Sequence, residues 1–482
     1  MSSTAKLSAR DRIETLIDDN SFVEFGALVT KRNTDFNMQQ MEAPGDGVIT
    51  GCGLIDGRPV YVYSQDVSAL NGTIGEMHAK KIVALYDKAM KVGAPVIGLV
   101  DCAGMRLQEA TDALEAFGSI YTKQSLASGV IPQITAVYGN CGGGCAVLAA
   151  LSDFVFITKD GKLFVNAPNT IDGNNVGKCD TADAAFAAEA GTVDFVDEDE
   201  EASLNRIRTL VSYLPSNNED DAEIECTDDL NRELPAFTSE MDDVAEAIKD
   251  IADNGEFIEI KADYEPAMVC GFIKLNGSTI GVVANRTAVK DEAGKTVKKF
   301  DAVLTTKGCY KAAEFVKFCD AFSIPVLTLS NVTGYAATMG EAKNISIAAA
   351  KLTYAFANAT VPKINVVTKK ALGSAYVAMN SKSLGADVVF ALEDSQIGAM
   401  DADLAVQIIY SDEIEAAADK AAFKSEKAAE YKKLLLSSES AAKRGYVDAI
   451  ITGDEVRKQL IYAFEMLYSK REERPVKKHG TI

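Results

Sequence analysis

The sequence predicts an α/β protein made of two duplicated halves, each containing a mostly parallel β-sheet. Short apolar β segments alternate with amphipathic helices, and the same order of segments occurs twice. Pro95 and Pro325 are 230 residues apart, and so are Gly143 and Gly373, in segments of matching local pattern. The alternation is typical of helices packed on a parallel sheet, and the constant spacing indicates an internal duplication.

The elements of the two halves follow one another in the same order. Each half begins with one glycine-punctuated β segment, at 45–66 in the first half and at 269–287 in the second, whose alternating apolar residues predict a hairpin. A helix with apolar spacing follows each, at 79–93 and 310–324. A buried strand, a loop, a second helix and a further strand complete each half. This order predicts two α/β domains of the same topology.

The rest of the chain connects or extends these halves. The acidic region 172–260 is predicted to be a solvated helical linker with surface loops, although 204–218 within it has helical apolar spacing. The stretch 413–445 is rich in helix formers and predicts one or two long helices on the second half. The predicted domains are 1–240, which ends in the acidic linker, and 241–482.

Composition argues against several classes of protein. The net charge of −21 argues against nucleic-acid binding, which needs clustered lysine and arginine. No apolar run approaches the ~18 residues of a membrane helix, and the first residues lack a secretory apolar region, so a cytoplasmic protein is expected. Nine cysteines without a CxxC pair, and only two histidines, predict neither a disulfide framework nor a metal site.

Two loops are rich in glycine at equivalent places in the two halves, where ligands of α/β domains bind. They are Asn140-Cys141-Gly142-Gly143-Gly144-Cys145 and Ala371-Leu372-Gly373-Ser374-Ala375. Glycine lets a ligand approach the backbone, and the first N–H groups of a following helix have no internal partner. Each loop is therefore predicted to form an oxyanion hole, the alternative being a tight strand–helix contact without function.

No acid or base follows the glycines in the first loop, and neither loop is followed by an obvious proton-transfer side chain. Cys145 and Ala146 follow the first loop, and Tyr376 and Val377 follow the second. The chain therefore provides anion stabilisation without an evident proton-transfer side chain. This suits a reaction in which the substrate or a cofactor carries its own base, and two holes suit two carbonyl-bearing partners.

A series of motifs in fixed order resembles the biotin-dependent carboxyltransferases along nearly the whole chain. The motifs are KLSARDRIETLIDDNSFVEF (6–25), GDGVITG (45–51), SQD (64–66), GEMHAKKI (75–82), GAPVIGL (93–99), SGVIPQITAVYGNCGGGCA (128–146), SYLPSNN (212–218), FVKFCDAFSIPVLTL (315–329) and REERPVKKHGTI (471–482). Each motif alone is weak, but their order across more than 400 residues is specific.

The resemblance implies two tandem crotonase-like (ClpP/crotonase) domains in an obligate homodimer or a hexamer built as a trimer of dimers. It also implies that an acyl-CoA binds chiefly on the first domain and that carboxybiotin approaches from the second. By position, Gly143 and Gly144 would hold the thioester enolate. Ser374 and Ala375, with Gly373, would hold the ureido oxygen of biotin, although which hole serves which partner stays open.

Further residues are predicted to line the substrate sites because they lie in or beside these loops. They are Gly104, Arg106, Gly142, Gly334 and Val377. Relatives commonly have glycine where Ser374 stands and an acidic residue where Val377 stands. An apolar side chain at 377 would change the shape and polarity of the pocket, which predicts a divergent branch and leaves the acyl-CoA undecided.

Five ionisable residues lie in or beside the motifs. Arg106, Lys80 and Lys81 are candidates to pair with CoA phosphates, the alternative being ordinary surface charges. His78 is predicted to be structural rather than a base. Lys91 lies within a helical pattern, so it is not a biotin attachment site, and the biotin belongs to a separate carrier protein.

The predicted function is carboxyl transfer between carboxybiotin, on a biotin carboxyl carrier protein, and the α-carbon of an acyl-CoA. The chain would work beside a biotin carboxylase, without a metal of its own. One alternative is the α subunit of a sodium-translocating decarboxylase, held at the membrane by a partner subunit. A second is a stand-alone enoyl-CoA hydratase or isomerase, and a third is a non-catalytic scaffold.

Overall fold

The protein is described by a computed structural model over residues 6–221, 224–234, 237–238, 241–291 and 293–477. It divides into two compact units, Met1–Ala222 with Lys261–Tyr264, and Glu223–Ile260 with Glu265–Ile482. Each unit contains one eight-stranded sheet with helices packed on it. The predicted α/β class with two parallel-sheet domains is confirmed.

The sheet of the first unit carries the predicted hairpin at one side and parallel strands at its centre. Its strands are β1 (Val23–Phe25), β2 (Val48–Ile55), β3 (Arg58–Gln65), β4 (Val96–Cys102), β5 (Gln133–Gly142), β6 (Phe154–Thr158), β7 (Lys162–Phe164) and β8 (Phe195–Asp197). The spatial order is β1-β2-β3-β4-β5-β6-β8, with β7 also paired to β5. Asp56 and Gly57 both have positive φ at the hairpin turn, as a tight two-residue turn requires.

Helices cover this sheet and bury its central strands. They are α1 (Ala9–Leu16), α2 (Glu76–Val92), α3 (Ala110–Ala127), α4 (Gly144–Ala150), α5 (Ala184–Ala190) and α6 (Glu200–Tyr213). Every residue of β4 is buried. Ile82 of α2 and Ile120 of α3 belong to one apolar cluster with Tyr63 and Val96 of the sheet. The predicted helix at 79–93 is confirmed as α2, which ends at Gly93 with φ +71°.

The prediction of a solvated linker is wrong for the first part of 172–260. Strand β8 pairs in parallel with β6 and therefore belongs to the sheet. Leu204, Ile207 and Leu210 of α6 are completely buried, so the helical apolar spacing marks a core-facing helix rather than a surface one. Even the acidic residues Asp194 and Asp197 are buried here, so acidic composition alone misplaced the segment.

The second unit repeats the order of the first. Its strands are β9 (Ile258–Ile260), β10 (Met268–Leu275), β11 (Ser278–Asn285), β12 (Ala288–Lys290), β13 (Thr296–Lys299), β14 (Val303–Leu304), β15 (Val326–Val332), β16 (Gly334–Tyr335), β17 (Lys363–Leu372), β18 (Val388–Leu392), β19 (Gln396–Gly398) and β20 (Ala449–Ile451). The main sheet has the order β20-β18-β17-β15-β11-β10-β9, with β19 paired to β17, and two small pairs lie outside it. An antiparallel hairpin followed by parallel strands thus occurs in both units, which supports the duplication.

Toward the end of the chain, the helices of the second unit are shorter than predicted. They are α7 (Val244–Ile251), α8 (Thr306–Ala321), α9 (Ile345–Asn358), α10 (Gly373–Ala378), α11 (Ala402–Ile409), α12 (Ser411–Ala416), α13 (Lys420–Tyr431), α14 (Ser438–Lys443) and α15 (Val456–Leu467). The prediction of one or two long helices over 413–445 is wrong, because Asp419 and Ser437 cap new helices there. A π-helical turn, Lys432–Leu436, places the buried Leu436 against Gly398.

Two remaining sequence predictions concern membrane-spanning helices and the motif at 471–482. In the part of the chain that the structure describes, no helix has the length and apolar character needed to span a membrane. The last five residues of the motif at 471–482 lie outside the described residues.

Candidate active site

The loops that follow β4 and β5 lie side by side in the first unit. The two strands are parallel neighbours, and Cys102 at the end of β4 lies opposite Cys141 near the end of β5. Gly104 has φ +107°, and a Cβ built on it would lie 3.6 Å from the carbonyl oxygen of Gly142. The fold therefore brings two of the predicted site glycines together at the carboxyl edge of the sheet.

Gly143 turns the chain from β5 into α4. Its φ of +59° and ψ of −123° lie in a region that other residues rarely adopt. Its own N–H donates to the carbonyl oxygen of Phe164 at 2.9 Å. Among the described residues, the next two amides, Gly144 and Cys145, have no acceptor. The geometry therefore offers Gly144 and Cys145 as donors to a ligand, whereas the amide of Gly143, a predicted donor, is already engaged.

The three glycines of this loop serve different purposes. A Cβ on Gly142 would lie 2.8 Å from the ring of Phe164, and one on Gly144 would lie 2.9 Å from both Phe117 and the Tyr121 hydroxyl. A Cβ on Gly143 would have no described heavy atom within 4 Å. Close packing, the alternative considered for the loop, explains Gly142 and Gly144. Gly143 instead borders open space that a ligand can enter.

The equivalent loop in the second unit has the same construction. Gly373, with φ +65°, joins β17 to α10. Among the described residues, the amides of Ser374 and Ala375 have no acceptor. The Ser374 side chain is exposed, and Ala375 is buried beneath it. This start of α10 thus also presents free amides, as the repeat predicts.

Two further predicted residues of the second unit lie near this turn in the fold. Val377 is 40% exposed one turn into α10, so its side chain is open to a ligand. Gly334 lies in β16, and a Cβ built on it would have no described heavy atom within 4 Å. Strand β16 follows β15, whose Val332 lies opposite Ala371 of β17. Both residues can therefore border a site at the carboxyl edge of this sheet.

Arg106 lies in the interior of the first unit. Its guanidinium is 1% exposed and forms ion pairs with Asp46 and with Glu109, the latter at 2.9 Å. It also donates to the carbonyl oxygen of Thr73 at 2.6 Å. These partners hold the guanidinium away from solvent, so the structure does not support the prediction that Arg106 binds a CoA phosphate.

The two lysines beside Arg106 differ from each other. Lys81 is buried, and its ammonium group donates to the carbonyl oxygen of Gly45 at 2.9 Å, while burial lowers its pKa. Lys80 is exposed and pairs with Glu76 at 2.6 Å. Only Lys80 could therefore reach a ligand without disturbing the interior.

His78 is a structural residue, in agreement with the prediction. It is completely buried, and its ring nitrogens contact the carbonyl oxygen of Asp46 at 2.9 Å and the Gln65 amide at 3.2 Å. Burial, aided by the nearby charge of Arg106, lowers the pKa of His78 to about 3. The imidazole is therefore neutral at physiological pH and has no access to a substrate.

Sequence reasoning missed two features of the first loop. It counted glycines and so overlooked the amide of Cys145, which the position two residues after the turning glycine could have indicated. It also overlooked the contact between the sulfurs of Cys102 and Cys145, which lie 3.2 Å apart. The parallel order of β4 and β5 places the two loops together and could have predicted this contact.

Duplicated sheet domains with free amides at equivalent helix starts define a protein of the crotonase-like fold class. The family model of the carboxyl transferase domain matches residues 2–482. The chain belongs to this family, which confirms the predicted class of enzyme, a biotin-dependent carboxyltransferase.

Individual relatives are similar along almost their whole length. The chain is 40% identical to the methylmalonyl-CoA decarboxylase subunit alpha of Propionigenium modestum, covering 99% of this chain and 93% of that protein. It is also 40% identical to the propionyl-CoA carboxylase carboxyltransferase subunit of Haloferax mediterranei, with the same coverage. The crystal structure of transcarboxylase 12S, a hexamer with methylmalonyl-CoA and methylmalonic acid bound, matches with a TM-score of 0.92 and 36% identity. That match covers 99% of this chain and 92% of the other.

Proposed function

We propose that this chain transfers a carboxyl group between carboxybiotin and the α-carbon of a short acyl-CoA, as the carboxyltransferase component of an acyl-CoA carboxylase. The observation that carries the proposal is the pair of helix starts with free amides, at Gly144 and at Ser374, in a chain that the family model matches over residues 2–482. Relatives named for propionyl-CoA and methylmalonyl-CoA support a three-carbon acyl group as the carboxyl acceptor.

The first loop is assigned to the acyl-CoA. The amides of Gly144 and Cys145 would donate to the thioester oxygen as it gains negative charge, with Gly143 shaping the turn that exposes them. Removal of one donor from such a hole costs ~10²–10³ in rate. The first-turn amides also sit at the positive end of a helix, which favours an anion.

The second loop is assigned to biotin. The amides of Ser374 and Ala375, at the turn made by Gly373, would hold the ureido oxygen, and the free donors there fit a carbonyl group. When bound, biotin would supply the carboxyl group and the base that takes the α-proton. This fits the lack of an evident proton-transfer side chain after the glycines of the first loop, where Cys145 and Ala146 follow.

The proposed partners follow from the assignment of the first loop to the acyl-CoA and of the second loop to biotin. The biotin would arrive on a separate biotin carboxyl carrier protein, charged by a biotin carboxylase. We propose a homodimer or a trimer of dimers as the working form, supported by the hexamer of transcarboxylase 12S. Val377 and Gly334 would border the substrate site of the second unit, and Gly104 and Gly142 that of the first.

A second candidate is decarboxylation by the same chemistry run in reverse. The match at 40% identity over 99% of the chain to a methylmalonyl-CoA decarboxylase alpha subunit favours it. In that case a membrane subunit would replace the biotin carboxylase as partner. Co-purification from the native cell decides between them, because a biotin carboxylase is expected in one case and a multi-span membrane protein in the other.

The purified chain with methylmalonyl-CoA and free biotin tests the proposal. We expect CO2 release that depends on biotin and is lost in Gly143→Val, because a side chain there enters the open space beside the free amides. Gly57→Val is the matched control, since Gly57 also has positive φ and open surroundings but lies in the hairpin turn. Hydration of an enoyl-CoA without biotin, or equal loss in both variants, would contradict the proposal.

A further inference from the structure

Two buried thiols meet beneath the first glycine loop. Cys102 is the last residue of β4, and Cys145 lies in the first turn of α4. Their exposures are 0% and 1%, and their sulfur atoms are 3.2 Å apart. The contact joins the two loops at the carboxyl edge of the sheet, so any change in the bonding of these sulfurs acts directly on the predicted site.

The two thiols have different surroundings. Cys145 donates its S–H to the sulfur of Cys102, and the Gly104 amide donates to the same sulfur at 3.3 Å. The Cys145 hydrogen bond, with help from the Gly104 amide, lowers the pKa of Cys102 despite its burial. The same hydrogen bond, together with burial, raises the pKa of Cys145. Cys102 is therefore the better nucleophile, because the thiolate is the reactive form of cysteine.

We propose that Cys102 and Cys145 form a redox-sensitive dithiol that a two-electron oxidant such as hydrogen peroxide converts into an intrachain disulfide. The Cys102 thiolate would attack one peroxide oxygen, giving a sulfenic acid and a hydroxide that leaves as water after protonation. The Cys145 sulfur, losing its proton, would then displace the sulfenic hydroxyl as a second water. Two thiols are oxidised and one peroxide is reduced to two waters.

The local backbone allows both access and bond formation. A disulfide needs sulfurs ~2.05 Å apart, so these must approach by about 1 Å. Glycines flank both cysteines, at 104 and at 142–144, and glycine gives the backbone freedom to move. A Cβ on Gly143 would have no described heavy atom within 4 Å, so a small oxidant can approach from this side.

The consequence for catalysis rests on the proposed function. Cys145 supplies one of the two free amides of the first loop, and the bond would pull its helix turn toward the end of β4. We expect oxidation to lower acyl-CoA turnover by about 10²-fold, which is the effect of losing one oxyanion donor. Reduction with dithiothreitol would restore it.

The first measurement detects the bond without reference to activity. The full-length protein is treated with peroxide, its free thiols are alkylated, and its tryptic peptides are analysed by mass spectrometry. Cys102 lies in peptide 92–106, whereas Cys141 and Cys145 share peptide 124–159. A linked pair of these peptides, sensitive to dithiothreitol, is the expected product. Fragment ions between residues 141 and 145 identify the partner even in the unmutated protein.

Variants provide matched controls for this assignment. Cys141→Ser is expected to keep the link, because the sulfur of Cys102 contacts Cys145. Cys145→Ser is expected to lose it. The proposal would be overturned if no disulfide link formed or if the link ran through Cys141. It would also be overturned if complete formation of the link left the turnover of an active enzyme unchanged. An enzyme that is inactive even when reduced would instead count against the proposed function, because the linked peptides are detected independently of activity.

Discussion

Replacement of Arg106 by methionine is expected to destabilise the first unit without weakening acyl-CoA binding. The guanidinium is 1% exposed and forms ion pairs with two carboxylates, Asp46 and Glu109, whose side chains are 0% exposed. Methionine is unbranched and apolar, so it can occupy much of the vacated space. The variant therefore leaves two buried negative charges without their shared cation.

The expected magnitude follows from this burial. Removal of one partner from a buried ion pair costs ~3–5 kcal/mol, because the remaining charge is uncompensated. Thr73 would also lose the hydrogen bond to its carbonyl oxygen, which contributes ~1 kcal/mol. The triple variant Arg106→Met, Asp46→Asn, Glu109→Gln removes the uncompensated charges and is expected to recover most of the loss.

Urea unfolding of the three proteins measures the stability, and the KM for acyl-CoA is measured below the transition. We expect a lower unfolding midpoint for the single variant, partial recovery in the triple variant, and little change in KM. A single variant that is as stable as the parent but has a tenfold higher KM would refute this reasoning. It would show instead that Arg106 contacts the CoA, as the sequence first indicated.

Two further predictions concern pH and packing. Burial favours the neutral form of His78 and lowers its pKa from an ordinary value of 6.5 to about 3. The unfolded chain therefore binds this proton more tightly than the folded one. Stability should therefore fall as the pH drops below 6.5, by about 2 kcal/mol at pH 5, and His78→Gln should flatten this part of the urea-midpoint profile; a parallel profile would contradict the assignment. Gly144→Ala places a Cβ 2.9 Å from Phe117 and Tyr121, so we expect a loss of ~1–3 kcal/mol in thermal unfolding together with lower turnover. Full activity in a destabilised Gly144→Ala protein would show that the helix start tolerates displacement.

The sequence was sufficient for the fold wherever apolar periodicity determines structure. The hairpins and helices α2 and α8 lie where alternation or helical spacing places them. It was insufficient where charge and periodicity disagree. The segment of α6 carries acidic neighbours, yet Leu204, Ile207 and Leu210 face the core, and the periodicity is the better guide there.

The location of the candidate site was predictable from the sequence, but the identity of its hydrogen-bond donors was not. The spacing of Gly143 and Gly373 identified both turns, and each begins a helix. Only the folded structure reveals that the Gly143 amide already donates to the carbonyl oxygen of Phe164, which moves the free donors one residue along the chain. The burial of Arg106 was likewise hidden, because its partner Asp46 is distant in sequence and its charge alone indicates a surface residue.

The strands, and not the glycine loops alone, encode the site. In both units the parallel pairing slips its register just before the loop, between Val100 and Cys102 in one and between Ser330 and Val332 in the other. These positions are again 230 residues apart, as are the partners Cys141 and Ala371. An irregular pairing at the end of a strand redirects the chain and ends regular hydrogen bonding. Because the slip occurs twice at equivalent places, the duplication copied a strand ending that opens the sheet edge, and this shared ending places the free amides of both proposed oxyanion holes at equivalent positions.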